Sequence, residues 1–465
     1  MERTLPRELS APDSLMWRIE SDPVLRSPIL VVGLLDRSPT PEGVEATIER
    51  AVATIPRLRQ RIVGPPLDLG RPRWEDTGEP SLAHHVRRVL APGGDLDSML
   101  EVVQPDAVAA FDPARSPWTL TIVDGLDDGR AAVVLRFHHA ITDGMGAIQI
   151  ADRLFDRSRR PAPAPRAESA PATPAAGTAP GGPLGALTTG LAVVARGALD
   201  AVRHPADAVS APLRFGRSAA RLLAPAADGS PELAGRSLDR WLAVTERPLA
   251  TLHRAARATG GTINDVLLAA VAGALASYHR AQGTPVPAVR VTMPISIRRE
   301  GDHLGGNRFV PARFTLPIDD PDPRIRVKIA GAIVRGWRAE PALRSSGLIA
   351  AGLNLLPRPL VVRVFGGMLR SIDVDVVDVP GLARPAYIGG ARIDRLWAFA
   401  PPTGAALSIT LVSHTRTGCV GLACDRMAVT DPELLGTCLD DALDELIALG
   451  RMRPSTSRRP RRSRA

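Results

Sequence analysis

Lysine and cysteine are both scarce in this sequence. Lys328 is the only lysine among 465 residues, and arginine supplies the other basic side chains. We attach no chemistry to that bias. The three cysteines, Cys419, Cys424 and Cys438, form no Cys-x-x-Cys pair, which argues against a disulfide framework. The chain is therefore expected in a reducing cytoplasm, with buried and unreactive thiols.

Long apolar runs are missing as well. Residues 1–13 hold no apolar core, so no secretory signal peptide is expected. The nearest approach to a membrane span, residues 345–369, is interrupted by Asn354 and by the Pro-Arg-Pro of residues 357–359. A span of about 20 uninterrupted apolar residues is thereby excluded there. An interfacial helix in this segment is the alternative that stays open.

Acidic residues are absent from the last part of the chain. Residues 451–465 carry seven arginines and no acid, and without these seven the net charge falls from +9 to +2. The high pI therefore belongs to a tail rather than to a basic groove, so no nucleic-acid partner is expected. We predict a disordered, solvated tail. Attraction of this tail to an anionic membrane or lipid-droplet surface is the open alternative.

Helical and strand patterns lie on both sides of a Pro/Ala-rich segment, which indicates a mixed α/β chain with two parts. Apolar residues at helical spacing predict a helix within residues 40–63, with Thr40 as its cap and Pro41 in its first turn. The segments 118–125 and 131–137 alternate like the strands of a hairpin, and helical spacing returns at 147–154. Further on, residues 263–280 read as a buried helix, and strands are expected at 288–297, 309–318, 372–379, 406–413 and 419–425.

The predicted organisation has five parts. A flexible linker is expected because its Pro- and Ala-rich composition, without aromatic residues, cannot form a packed core. The parts are an N-terminal half (1–156), the linker (157–183), a helical crossover (184–236), a C-terminal half (237–450) and the arginine-rich tail (451–465).

Two adjacent histidines, His138 and His139, follow the strand-like run and precede Asp143 and Gly144. Neighbouring side chains on a strand point to opposite faces, so one metal ion cannot easily take both. No metal site is therefore expected. A neutral imidazole facing a cleft can instead serve as a general base, with the other histidine as scaffold. From the residues alone, catalysis and an ordinary histidine pair stay equally open.

The second pair, His84 and His85, serves as an internal comparison. It has no acid four residues later and no glycine turn. We interpret it as part of an ordinary strand or loop.

The segment His-His-Ala-Ile-Thr-Asp-Gly resembles the His-His-x-x-x-Asp-Gly signature of CoA-dependent acyltransferases. The chain resembles, more narrowly, the bacterial wax ester synthase/diacylglycerol acyltransferase family over almost its whole length. The supporting segments are residues 9–23, 115–120, 261–275, 293–298, 305–307 and 421–435.

The resemblance implies two chloramphenicol-acetyltransferase-like domains, mixed sheets with flanking helices, and a tunnel between them. It implies transfer of a fatty acyl group from acyl-CoA, a co-substrate, to diacylglycerol or a long-chain alcohol, with no further cofactor. Carried over by motif, His139 is the general base, His138 a supporting residue, Asp143 structural and Gly144 the motif turn.

Further residues follow from the resemblance. Arg298 is the candidate partner of Asp143, by analogy. Asn264, Asp265 and Trp118 are assigned to substrate binding. For Asn264 the alternative is a first-turn residue of a helix that Thr262 caps.

One segment departs from the family pattern. Where the family has Ser-Asn-Val-Pro-Gly-Pro, this chain has Val377, Asp378 and Leu382 in place of the serine, the asparagine and the second proline. A carboxylate at Asp378, assigned to substrate binding, removes amide donors and adds charge. Aromatic residues make up 3% of the chain, which is low for a lipid tunnel. Two alternatives therefore stay open: a related CoA- or carrier-dependent transferase acting on polyketide or peptide acceptors, and a catalytically weak lipid-binding paralogue.

Overall fold

A computed structural model describes residues 6–65, 70–78, 80–160, 229–297, 306–340, 346–401 and 403–451. Several predicted features lie outside the described residues. They are Arg298, linker residues 161–183, crossover residues 184–228 and tail residues 452–465.

The α-helices in the described ranges are α1 (Ala11–Ile19), α2 (Pro41–Thr54), α3 (Leu82–His85), α4 (Leu96–Val103), α5 (Gly144–Leu154), α6 (Leu249–Thr259), α7 (Ile263–Ala281), α8 (Pro323–Arg338), α9 (Ser346–Leu353), α10 (Arg358–Val361), α11 (Gly367–Arg370) and α12 (Pro432–Arg451). A π-helical stretch, Val362–Gly366, joins α10 to α11.

The strands are β1 (Pro28–Leu35), β2 (Gln60–Val63), β3 (Arg73–Asp76), β4 (Val86–Leu90), β5 (Trp118–Asp124), β6 (Ala131–His138), β7 (Arg240–Pro248), β8 (Ala288–Ser296), β9 (Phe309–Pro317), β10 (Val374–Pro380), β11 (Tyr387–Ile388), β12 (Ala391–Phe399), β13 (Leu407–His414) and β14 (Thr417–Asp425). They form a first sheet in the order β11-β12-β1-β6-β5-β4, a second in the order β7-β14-β13-β10-β8-β9, and the pair β2-β3.

Both faces of the first sheet are covered, so strand β1 is buried along its whole length. Ile29 and Val31 pack in the core that includes α2 and α5, whereas Leu30 and Val32 pack in the core that includes α4 and residues of β7 and β14. This alternation follows from the two-residue period of a strand. The first sheet is therefore fixed to its helices and to the second sheet at once.

The second core is built around α7, which is apolar on nearly every face as its sequence predicted. It packs with α6, α8 and α12 against the second sheet. Thr262 and Asp265 form a reciprocal capping box at its first turn. This cap fixes where the helix begins, directly beside the cavity described below.

Strands β11 and β12 leave the second half of the chain and join the first sheet. Strand β12 pairs antiparallel with β1, with Val32 opposite Trp397. The second half of the chain therefore contributes to the sheet of the first. The predicted division at residue 237 places β11 and β12 in the C-terminal half, whereas both strands lie in the first sheet.

Most of the local predictions are confirmed. The hairpin β5-β6, helix α5 and the five later strands lie where the sequence placed them. Thr40 caps α2 by accepting the Gly43 N–H at 3.2 Å. Two corrections apply. Helix α2 ends at Thr54, before a proline, and residues 60–63 form β2. His84 and His85 lie in the short helix α3 rather than in a strand or loop.

No single helix in the described ranges is both long and apolar enough to cross a membrane. The bent pair α6 and α7, which meet at 88°, passes the length and composition criteria together. The described residues of α7 are largely buried in the second core.

Candidate active site

A cavity of about 1350 Å³ lies between the two halves. It exceeds the roughly 300–1,000 Å³ typical of small-molecule pockets. Both halves contribute to its largely apolar wall, through residues that include Leu15, Ile29, Val31, Ile148, Met293, Phe309, Leu369 and Val377. A long apolar ligand suits such a wall better than a small polar one.

His139 lines this cavity at the point where β6 has ended. Its backbone N–H donates to the Ser27 carbonyl at 3.1 Å, and the Phe309 ring lies 5.5 Å from its own ring. Nδ1 is buried and has no hydrogen-bond partner among the described residues. Nε2 makes no hydrogen bond in the described ranges and is not buried, so it is the nitrogen open to the cavity.

The charge state of His139 follows from its surroundings. Burial lowers the pKa of His139 below the ordinary histidine value, and the neighbouring charge of Asp143 opposes that shift. The imidazole is consequently neutral at pH 7 and can accept a proton. The predicted placement of His139 on a cleft agrees with this geometry.

His138 points the other way and is fully buried. Its Nδ1 accepts the Ala140 N–H at 2.8 Å, which places the ring proton on Nε2. That nitrogen lies 3.0 Å from Glu20 Oε1, in an electrostatic contact rather than a well-directed hydrogen bond. Burial is the largest influence and would raise the pKa of Glu20, but the contact with His138 and the hydrogen bonds from Ser27 together outweigh it and lower that pKa. His138 is therefore scaffold.

Asp143 caps helix α5. One carboxylate oxygen accepts the Gly146 N–H at 2.8 Å, and the other accepts the Arg308 backbone N–H at 2.8 Å. The side chain is 4% exposed and borders the cavity. A Cβ on Gly144 would approach Val379 Cγ2 to 3.1 Å, so the motif glycine permits close packing against β10. Both residues hold the turn in shape.

Asn307 and Asp13 join the two halves behind the motif. The Asn307 amide donates to the His139 carbonyl at 2.9 Å and to Asp13 Oδ1 at 2.7 Å. The Gly306 N–H donates to the Ile141 carbonyl at 2.8 Å. Burial raises the pKa of Asp13, and its hydrogen bonds from Ser10 and Asn307 work against that rise. Sequence reasoning gave Asp13 and Asn307 no role.

Asn264 and Asp265, both predicted to bind substrate, have different surroundings in the structure. Asn264 lines the cavity, and its Nδ2 is buried without a hydrogen-bond partner in the described ranges. Asp265 is 3% exposed and accepts the Thr262 N–H at 2.8 Å as part of the helix cap. Asn264 is thus free to contact a ligand, whereas Asp265 holds the helix start.

Trp118 lies in the first core, 1% exposed and outside the cavity wall. Its indole N–H donates to the Leu58 carbonyl at 2.9 Å, and its ring stacks on His85 at 4.3 Å. These contacts place Trp118 in the packing of the first sheet, not with a ligand as the resemblance implied.

Asp378 lines the cavity and is accessible from it. Burial by the surrounding protein raises the pKa of Asp378 to about 6, against the opposing charge of Arg338. The residue lies where the resemblance implied, and its predicted role in binding stays a prediction. In the described ranges, no group of three or more His, Cys, Asp or Glu side chains could hold a metal ion.

Two family domains match this chain. Residues 9–267 match the wax ester synthase/diacylglycerol acyltransferase catalytic domain, and residues 305–447 match the C-terminal domain of the same family. The chain belongs to the wax ester synthase/diacylglycerol acyltransferase family.

Relatives of this acyltransferase support the assignment. A putative diacylglycerol O-acyltransferase of Mycobacterium tuberculosis is 35% identical and covers 96% of this chain and 92% of its own. The wax ester synthase/diacylglycerol acyltransferase of Marinobacter aquaeolei VT8 is 19% identical, with a TM-score of 0.63 over 96% of this chain and 100% of that chain. A starter condensation domain of rhizomide synthetase, solved with C8-CoA and Leu-SNAC, is 18% identical, with a TM-score of 0.56 over 96% and 94%. The predicted fold class is confirmed.

The supporting residues that sequence reasoning missed in this family member share a signal. Glu20 and Asp13 lie in the segment 9–23, and Asn307 lies in the segment 305–307, both of which carried the resemblance. A segment that resembles the family pattern does not show which side chain contacts which, so these roles required the structure.

Proposed function

We propose that the protein moves a fatty acyl group from acyl-CoA to the hydroxyl group of diacylglycerol or a long-chain alcohol, with His139 as general base. The observation that carries the proposal is the open Nε2 of a neutral imidazole in an apolar cavity between the halves. The family assignment and the putative diacylglycerol O-acyltransferase of Mycobacterium tuberculosis support the choice of acceptor.

The reaction needs one proton acceptor. Nε2 of His139 takes the proton of the acceptor hydroxyl as its oxygen attacks the thioester carbonyl, forming the new C–O bond. Collapse of the tetrahedral intermediate breaks the C–S bond, and the imidazolium returns the proton to the leaving thiolate. No covalent acyl-enzyme is required. Asp143 takes no part in proton transfer, since both of its oxygens accept backbone hydrogen bonds.

Substitution His139→Ala tests the assignment. Release of CoA thiol from palmitoyl-CoA should fall by about 10² to 10⁴ with either dioleoylglycerol or hexadecanol as acceptor, since a positioned base contributes that much. Circular dichroism should show an unchanged fold. In the wild type, kcat/KM should begin to fall only when the pH is below about 6.5, the ordinary histidine pKa. The reason is that the pKa of His139 is lowered from that value.

Three outcomes separate the alternatives. Unchanged turnover in His139→Ala would end the role of His139 as base. Product formed only with a peptide or polyketide acceptor would favour the related transferase. Acyl-CoA binding without any turnover in the wild type would favour the lipid-binding paralogue.

We also propose that the protein works in the cytoplasm, at an anionic membrane or lipid-droplet surface. Leu355, Leu360 and Val364 are 83%, 42% and 47% exposed. No Asp or Glu occurs from residue 341 to residue 372, and Arg363 is exposed in this stretch. Phe365 and Leu369, on the same stretch, line the cavity.

Vesicle flotation tests this surface. Wild type should float with vesicles containing phosphatidylglycerol more than with phosphatidylcholine alone. A Leu355→Asp, Leu360→Asp double variant should lose that binding. A chain truncated after Arg451 measures how much of the vesicle binding depends on the arginine-rich tail. Flotation that depends only on the tail would contradict the assignment to the apolar surface.

A further inference from the structure

Asp375 is a carboxyl group in the cavity wall that the proposed proton transfer does not use. It lies on β10, opposite Thr292 of β8 and Ser408 of β13 in the register of the second sheet. Residues paired across neighbouring strands share a face, and Thr292 lines the cavity together with Asp375. The carboxyl therefore stands on the sheet face that forms the cavity floor.

The surroundings of Asp375 do not provide it with a partner. Met368, Leu369, Ile372 and Val377 line the same cavity. In the described ranges, no residue forms a hydrogen bond or an ion pair with the Asp375 carboxyl. The hydroxyl of the neighbouring Ser408 donates to the Ala400 carbonyl at 2.7 Å instead. A carboxyl in an apolar wall that no protein group partners can be paired only by water or by a ligand that enters the cavity.

The charged groups of the cavity do not offset the burial of this carboxyl. The charged side chains are Asp143, Arg308, Arg338, Glu340 and Asp378, and the neutral imidazole of His139 lines the same cavity. Burial alone raises the pKa of Asp375 to about 8. At pH 7 the group is mostly the neutral acid, which can donate a hydrogen bond where a carboxylate could only accept one.

We propose that Asp375 is a substrate-binding residue that donates a hydrogen bond to an ester or amide carbonyl oxygen of a bound ligand. A second unpartnered donor, Asn264 Nδ2, borders the same cavity. The identity of the ligand rests on the proposed function. Two of its substrates offer carbonyl oxygens: the esters of diacylglycerol and the pantetheine amides of acyl-CoA. A simple fatty alcohol offers none, so this contact would distinguish acceptors.

Equilibrium binding in the His139→Ala background tests the proposal without turnover. The ligands are dioctanoylglycerol, octanol and S-hexadecyl-CoA, a thioether that keeps the amides. Asp375→Val should weaken dioctanoylglycerol about tenfold, as expected for one lost hydrogen bond, and leave octanol unchanged. Asp375→Asn, which keeps a donor and the shape, should bind all three within about twofold of its parent. Weakening of S-hexadecyl-CoA alone would assign the contact to the amides.

A second measurement guards against misfolding of Asp375→Val. The affinity of the parent for the responding ligand should fall as pH rises through about 8, where the carboxyl ionises, and Asp375→Asn should not show this fall. Equal affinities in Asp375→Val for all three ligands, or no pH dependence in the parent, would refute the proposal. Failure of wild-type turnover would refute the proposed function alone, because these binding measurements do not require catalysis.

Discussion

Replacement of Asp375 by asparagine should stabilise the fold increasingly as pH rises. Below the ordinary carboxyl pKa both the folded and the unfolded chain hold the proton, so the substitution changes little. Between that value, 3.8, and the folded value of about 8, the unfolded chain loses a proton that the folded chain keeps. Wild-type stability therefore falls with pH in this window, and asparagine removes the fall.

The magnitude follows from the size of the shift. Each pKa unit corresponds to about 1.4 kcal/mol, so a shift of about four units sets an upper bound of about 6 kcal/mol above pH 8. Asp375 borders a cavity that water can enter, and the surface of the side chain is not completely covered. We therefore expect about 2–4 kcal/mol in the free energy of unfolding at pH 8.5, discounting for solvent screening.

Urea unfolding at several pH values from 5 to 9 measures the effect. Asp378→Asn is the matched control, because Asp378 lies on the same strand and burial raises its pKa only to about 6. Above pH 6.5 the gain from Asp378→Asn should stay constant, while the gain from Asp375→Asn continues to grow. Parallel pH profiles for wild type and Asp375→Asn would show that the carboxyl is not held neutral, and the hydrogen-bond donor proposed for it would be lost.

Three further substitutions probe the supports of the site. Asn307→Ala removes two hydrogen bonds, one to a carboxylate, and should cost about 2–4 kcal/mol of unfolding free energy and lower kcat, as measured by urea unfolding and CoA release. Glu20→Gln should cost about 1–3 kcal/mol at pH 7; because the pKa of Glu20 is lowered, the difference from wild type should vanish as pH falls below that pKa. Trp118→Phe should cost about 1–3 kcal/mol through one lost indole hydrogen bond with an unchanged KM for acyl-CoA. A raised KM for acyl-CoA would instead support the role in substrate binding that the resemblance implied for Trp118.

Local patterns carried most of the fold. Helix α5 and the hairpin β5-β6 follow from spacing and turn residues that lie within a few positions of one another. The exchange of β11 and β12 could not be read in this way, since the pairing of β12 with β1 joins residues more than 350 positions apart. Nothing in the apolar pattern of β12 specifies which sheet edge it completes.

The site shows the same division. The placement of His139 and His138 on opposite sides follows from strand alternation, and the structure agrees with it. The hydrogen bond from the Arg308 backbone N–H to Asp143 did not follow from the sequence, and Arg298, the partner suggested by analogy, lies outside the described residues. Asp375 carried no motif signal at all, because its importance depends on having no partner in the folded chain.

The spacing of the histidine motif has a structural reason beyond catalysis. Strand β6 ends at His138, so the next residue turns to the cavity, and the chain then needs a cap to start α5. Asp143 supplies that cap with one oxygen and binds the other half of the molecule with its second. Asn307 reaches back to the His139 carbonyl from that same half. His139 is therefore positioned by contacts between the halves, and any change that separates them should remove the proposed activity before it unfolds either core.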